Sequence, residues 1–188
     1  MNTSATTKES IMKACREIVA KYGLSALNMR SVAGSCHIAL GTLYNYYSDK
    51  NELVTATVES VWMDIFHSGG DFDGTSFSSY VEHIFSNVKE GIKKYPNFFA
   101  AHALSISSSE KSRARNAMSG YFKHMENSLI SVLLKDPDAD TGVFSDNFSE
   151  SAFVNFVIEN ILILVIREKD SCSTLTEIIR RIIYHRKN

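Results

Sequence analysis

The stretch Met29-Arg-Ser-Val-Ala-Gly-Ser-Cys-His-Ile-Ala-Leu-Gly-Thr-Leu-Tyr-Asn-Tyr-Tyr-Ser-Asp-Lys50 decides how this chain folds. Asn28, just ahead of it, is a good helix N-cap, and a short helix follows over Met29 to Ala33. A tight turn leads into a second short helix, Leu40 to Tyr46. Asp49 with Glu52 three residues later is the capping-box signature of a third. Two short helices joined by a tight turn are a helix-turn-helix. The second of them, opened by Leu40 and Gly41, presents Thr42, Tyr44, Asn45 and Tyr46, polar groups that reach phosphates and base edges when a helix lies in the DNA major groove.

Working outward, Ile11, Ala14, Cys15, Ile18, Val19 and Tyr22 keep helical spacing, Thr6 with Glu9 forms a capping-box pattern, and Gly23 ends the helix. On the other side Leu53, Val58, Val61, Trp62, Ile65 and Phe66 continue the helix begun at Asp49 until Gly69-Gly70 breaks it. The expected division is a head over 1–52 and a regulatory and dimerisation body over 53–188. Within the body, Phe77, Tyr80, Val81, Ile84, Phe85, Val88 and Ile92 mark an amphipathic helix ended by Pro96, which opens the next. Met118, Phe122, Met125, Leu129, Val132 and Leu133 mark another, up to Asp136-Pro137. Two last helices fall at about 149–167 and 174–186. With no convincing strand pattern, the chain reads as all-α with about nine helices.

The 188 residues are 44% hydrophobic, enough to bury a substantial core. Twenty Lys and Arg against 21 Asp and Glu give a net charge of -1. The charge is uneven: residues 1–52 carry Lys8, Lys13, Arg16, Lys21, Arg30 and Lys50 against Glu9, Glu17, Asp49 and Glu52, so a weakly basic head sits on an acidic body. Cys15, Cys36 and Cys172 have no metal-ligand spacing. The absence of an apolar leader, and the shortness of the apolar run Ile161 to Ile166, lead us to expect a soluble cytoplasmic protein without membrane contact. No His-Glu-x-x-His, phosphate loop, Gly-x-Ser-x-Gly or Glu-x-x-His occurs, so no catalytic residue, metal site or cofactor is expected.

The tract from Ile11 to Leu53 resembles the tetracycline-repressor (TetR) family of bacterial transcription regulators. The resemblance rests on Tyr22-Gly23, the Asn28-Met-Arg-Ser-Val-Ala33 helix, Gly41-Thr-Leu-Tyr-Asn-Tyr-Tyr47 and Asp49-Lys50-Asn-Glu-Leu53. It implies a homodimer with two N-terminal heads on a palindromic double-stranded operator and a helical body that houses a small-molecule inducer. By position, Arg30, Thr42, Tyr44, Tyr46 and Lys50 match residues that touch DNA in that family. Three positions depart from its pattern. His37 stands where a turn Gly is usual, Ala39 where Ser or Thr caps the recognition helix, and Leu40 where a polar side chain is frequent.

Each candidate has a plainer reading beside it. Lys50 is either a phosphate contact or a solvated lysine. Asn45 is either an adenine reader through its amide or simply hydrated. Tyr44 and Tyr46, two apart, cannot both face inward, and Leu43 and Tyr47 are the choices for the core. The penultimate helix is apolar on nearly every side and needs cover, so Ile161, Val165, Leu175, Ile179 and Ile182 are assigned to a dimer interface, with burial inside one chain as the other reading. Trp62, Phe66, Phe85, Phe98, His102, Phe122, Phe156 and Glu159 are assigned to an inducer pocket, although aromatics at such spacing also make ordinary core. Asn155, Glu159 and Asn160 suit either ligand reading or a structural network, and Cys36 either a redox switch or a small buried hydrophobe. The leading expectation is a repressor released from its operator by a ligand. The other is a DNA-binding regulator whose body takes a protein partner.

Overall fold

The structure, a computed structural model, describes residues 6–67, 74, 76–96, 98 and 112–184, with the side chains of 67 and 112–122 outside that description. Its elements are α1 (Lys8–Tyr22), α2 (Met29–Ser35), α3 (Leu40–Tyr44), α4 (Lys50–His67), α5 (Phe77–Lys94), α6 (Ser112–Lys135), α7 (Glu150–Ile166) and α8 (Ser173–Ile183). Short 3-10 turns occur at Leu24–Ala26 and Thr141–Val143. Among the described residues there is no strand beyond an isolated bridge between Ser145 and Phe148. The helix expected to open at Pro96 falls mostly on residues outside the description.

The chain divides into two compact units, the described residues of Met1–Ile65 with Gly91–Ser119 and those of Phe66–Glu90 with Gly120–Asn188. The first unit takes in α4 as far as Ile65, and Leu53, Thr57, Val58, Val61, Trp62 and Ile65 of that helix are all buried.

In the first unit, Ile11, Cys15, Ile18 and Val19 of α1 recur at helical spacing and are buried, as are Leu27, Val32, Leu43 and Tyr47. α1 begins one residue later than its expected cap. Thr7, not Thr6, accepts from Ser10 N at 3.1 Å, and Ser10 Oγ accepts from Thr7 N at 3.0 Å, so the capping box closes on Ser10 rather than Glu9. At the other end Gly23, with φ 79°, turns the chain while its N–H reaches Val19 O at 2.9 Å.

In the second unit, α7 buries Phe153, Val154, Val157, Ile158, Ile161, Leu162 and Val165. Phe77, Phe144 and Phe148 gather around Phe153 at 5.6 to 5.9 Å between ring centres. Asp136, read from sequence only as part of a helix break, is a buried organising group. Its Oδ2 accepts from Phe77 N at 2.7 Å and from the Tyr184 hydroxyl, and its Oδ1 accepts from Asp138 N at 3.0 Å. One carboxylate thus caps α5 and ties the chain beyond α8 to it, satisfying donors that burial would otherwise leave unpaired.

Candidate nucleic-acid interface

α2 and α3 form the helix-turn-helix. Asn28 Oδ1 accepts from Ser31 N at 2.9 Å, and Ser31 Oγ accepts from Asn28 N at 3.2 Å, a capping box that fixes where α2 starts. The turn passes through His37 at φ 53°, the left-handed region a glycine occupies freely and another residue at a cost of roughly 1–2 kcal/mol. α3 begins at Leu40 behind Ala39, which supplies no side-chain cap. The helix is shorter than expected, ending at Tyr44 with Asn45 as its C-cap.

Of the positions read as DNA contacts, Arg30, Gly41, Tyr44, Asn45 and Lys50 are exposed, Tyr44 to 48%, while Leu40 and Thr42 are half-buried. Leu43 and Tyr47 are buried between them, which turns Tyr44 and Asn45 outward. Tyr46 has an internal partner. Its hydroxyl donates to the carbonyl of Thr6, so its one proton is used inside the head and it anchors the residue just ahead of α1.

Lys50 is the first residue of α4. Asp49 Oδ1 accepts from Glu52 N at 2.9 Å, and a Glu52 carboxylate oxygen accepts from Ser48 N at 2.6 Å. The hydrogen bond from the Ser48 backbone holds the Glu52 carboxyl below its ordinary range. The chain's own carboxylates therefore take part of the electropositive start of α4, where Lys50 is exposed.

Cys36 is half-buried, and burial, with Glu17 nearby, pushes its thiol up, away from the thiolate form that redox chemistry needs. Cys15, wholly buried, is pushed up by its burial to about 11. These are packing residues. Among the described residues there is no cluster of His, Cys, Asp and Glu able to hold a metal ion, and no described helix is long and apolar enough to cross a membrane.

The residues assigned to a pocket have different fates. Trp62 and Phe98 belong to the first unit, buried edge to face with ring centres 5.7 Å apart. Phe66 and Phe85 belong to the second, Phe85 buried and Phe66 half-buried. His102 and the side chain of Phe122 lie outside the described residues. Phe156, 45% exposed, and Glu159 stand on the open face of α7, because they fall opposite the buried Phe153, Val157 and Ile161 on the helix.

For the residues assigned to a dimer interface, the structure shows the burial inside one chain that was the other reading. Ile161, Val165, Leu175 and Ile179 are buried within the chain itself, and Ile182 is half-buried. On α7 and α8 the large apolar side chains left open are Phe156, Ile163 and Ile166, each between 45% and 48% exposed, and Ile178.

Polar networks that no sequence pattern announced fill both units. In the first, Asp64 of α4 accepts from Lys94 Nζ and from the Tyr95 hydroxyl at 2.8 Å, and Arg16 of α1 donates to Ser60 and, at 3.0 Å, to Glu9. Burial alone raises the Asp64 carboxyl, but the hydrogen bonds from Lys94 and Tyr95 and the charges of Lys94 and Arg16 outweigh it and hold it low. In the second, buried Glu126 accepts from Ser151 and from Lys123 at 3.1 Å, while Asn155 donates to Ser151 Oγ at 3.5 Å. Asn155 is thereby part of an internal network, and the Asn160 amide bonds Phe156 O at 2.8 Å on its own helix.

Residues 11–57 match the family model described as bacterial regulatory proteins, tetR family. The chain is 36% identical over 59 residues to the HTH-type transcriptional regulator UidR of Escherichia coli K12, a match covering 31% of this chain and 30% of that regulator's length. Among solved structures, the multidrug binding protein EbrR, crystallised with imidazole, is similar at a TM-score of 0.63 and 12% identity, covering 98% of this chain and 99% of the other. A TetR-family transcriptional regulator from Haemophilus influenzae is similar at 0.53 and 18%, covering 94% and 96%. The structural likenesses extend the fold beyond the head, whose sequence carries the family match. The head over residues 11–57 is thus similar to the tetR family of bacterial regulatory proteins, and the fold of the chain as a whole is like that of solved TetR-family structures.

Proposed function

We propose that the protein is a dimeric, sequence-specific DNA-binding regulator of transcription, acting as a repressor that a small molecule releases from its operator. The observation that carries this reading is the outer face of the helix-turn-helix, where Arg30, Tyr44, Asn45 and Lys50 are exposed together around a short α3 anchored by Leu43 and Tyr47. The division of labour follows from chemistry. Arg30 and Lys50 neutralise phosphates and set the register, and Asn45 reads a base edge through its amide. The Tyr44 hydroxyl takes a phosphate oxygen.

Two heads are needed, because one α3 of this length offers too few base contacts to select a site. The dimer forms through the open stripe Phe156, Ile163 and Ile166 on α7 with Ile178 on α8, packed against the same stripe of a second copy as a four-helix bundle. The buried Ile161, Val165, Leu175 and Ile179 support that surface from behind.

The inducer is an apolar or amphipathic molecule that meets α4 near Trp62. α4 carries both Lys50 and Trp62 on one unbroken helix, so displacing Trp62 moves the phosphate contact with it. Ligand and DNA then favour different head positions, and each weakens the other by the same factor. EbrR, which has this fold, is a multidrug binding protein, and that supports a ligand site here. The experiment is a double titration in which candidate lipophilic ligands are added to the protein bound to a fluorescent operator duplex, reading Trp62 emission and DNA anisotropy together; Trp62 is the sole tryptophan. Quenching with parallel release at 5- to 150-fold weaker affinity, which corresponds to coupling of about 1–3 kcal/mol, is expected. Quenching with unchanged DNA affinity overturns the inducer mechanism.

A further inference from the structure

The first turn of α1 is held against the junction between α3 and α4. The Tyr46 hydroxyl, just past the end of α3, donates to the Thr6 carbonyl, and Thr6 directly precedes the Thr7 cap of α1. One residue past that cap, the ammonium of Lys8 stands over the Tyr47 ring, 5.9 Å from its centre. Its charge also adds, after the hydrogen bonds from Ser48, to what holds the Glu52 carboxyl low. Lys50 lies between Ser48 and Glu52 in the chain, so Lys8 and Lys50 belong to one corner of the head although they come from α1 and α4. The acids of that corner are each engaged. Glu9 pairs with Arg16 at 3.0 Å, Asp49 accepts from Glu52 N at 2.9 Å, and Glu52 accepts from Ser48 N at 2.6 Å. Among the described residues neither Lys8 nor Lys50 forms an ion pair, and both are exposed.

We propose that Lys8 is a further phosphate contact of the head, taking the DNA backbone together with Lys50, and that Tyr46 is the positioning residue that sets Lys8 there. The inference rests on the reading of the head as a DNA-binding element and extends its contact surface from α2, α3 and α4 to the start of α1. A cation at the first position of an α-helix opposes the helix dipole, so the charge of Lys8 works against α1 rather than for it. Two exposed ammonium groups, brought to one corner by the fold and left without a paired acid, suit a strand of phosphates. Each phosphate neutralised releases a condensed counterion, and contacts of this kind fix the register of a protein on the duplex.

The test uses the full-length protein and a fluorescent duplex of random sequence, about three helical turns long, in anisotropy titrations at several salt concentrations. Lys8→Gln is expected to weaken binding and lower the slope of log affinity against log salt by about 1 per bound head, and Lys8→Gln combined with Lys50→Ala by about 2. Lys8→Arg should keep the wild-type slope. Lys13→Gln removes the same charge from an exposed position of α1 about 140° round the helix, and should leave the slope unchanged. Tyr46→Phe should weaken binding in the wild-type background and add nothing to Lys8→Gln, because it acts through the placement of Lys8. If Lys8→Gln leaves the slope unchanged, or lowers it no more than Lys13→Gln does, the contact is overturned while binding by the wild type keeps the DNA reading. A further loss from Tyr46→Phe in the Lys8→Gln background overturns its positioning role. If the wild type binds no duplex at low salt, the reading of the head falls and this inference with it.

Discussion

The Tyr95 hydroxyl donates to Asp64 Oδ2 across 2.8 Å, on the same carboxylate oxygen that takes the Lys94 ammonium. Asp64 stands on α4 one turn beyond Ser60, which receives Arg16 of α1. A carboxylate in the last turn of α4 thus secures that helix to the end of α5, while Ser60 secures it to α1. Because the folded carboxyl is held below its ordinary value, its contribution to stability is complete above about pH 4 and is lost as pH falls through the lower folded value. Asp64→Asn should cost about 1 kcal/mol at pH 7, a modest figure because the group is partly exposed to solvent. Urea titrations from pH 7 to pH 3 should show the deficit shrinking toward acid. Parallel curves for the two proteins would contradict the assignment.

Gly91 of α5 packs directly on Ile65. A Cβ at that position would lie 2.6 Å from both Cγ atoms of Ile65 and 2.9 Å from its Cβ. Gly91→Ala should therefore destabilise by about 1–3 kcal/mol despite the better helix propensity of alanine, through overpacking. A thermal melt reads it, and an unchanged or raised midpoint would show that the two helices separate easily there.

Charge on α7 should act differently on its two faces. Ile163→Glu, on the open stripe, should give a folded monomer with weakened DNA binding, whereas Ile161→Glu, on the buried face, should unfold the body. Analytical ultracentrifugation with circular dichroism separates these outcomes. Ile163→Glu remaining dimeric would place the interface elsewhere.

The sequence made the head legible because its signals are local. Asn28 and Asp49 are caps, Gly23 is a stop, and Leu43 and Tyr47 follow from spacing within a few residues. His37 could be foreseen in the left-handed region because it occupies a turn that glycine usually fills. The hydrogen bond of Tyr46 leaves no such signal, since its partner is a backbone carbonyl forty residues away in sequence, and backbone groups leave no trace in composition. The same holds for Asp136, whose partners Phe77 and Tyr184 lie on distant segments. On α7 apolarity was visible on every side, but which side faces inward depends on how the body packs. Burial of Ile161 and Val165 and exposure of Phe156 and Glu159 follow from that packing and from no local signal.

The head's side chains should separate into two kinds by their response to DNA sequence. Lys50→Ala should weaken all duplexes alike and lower the salt slope by about 1 per head, whereas Asn45→Ala should relax preference at one base position at a cost of about 1–3 kcal/mol. Salt titrations against a panel of single-base variants distinguish them. A uniform loss for Asn45→Ala would remove it from base reading.

The most direct measurement is selection of duplexes from a random pool by the purified full-length protein, followed by the stoichiometry of the complex on the recovered sequence. The account predicts a motif with two-fold symmetry, half-sites about one helical turn or a multiple apart, and two chains bound per site. Recovery of no sequence above background, or of an asymmetric site saturated by a single chain, would contradict it.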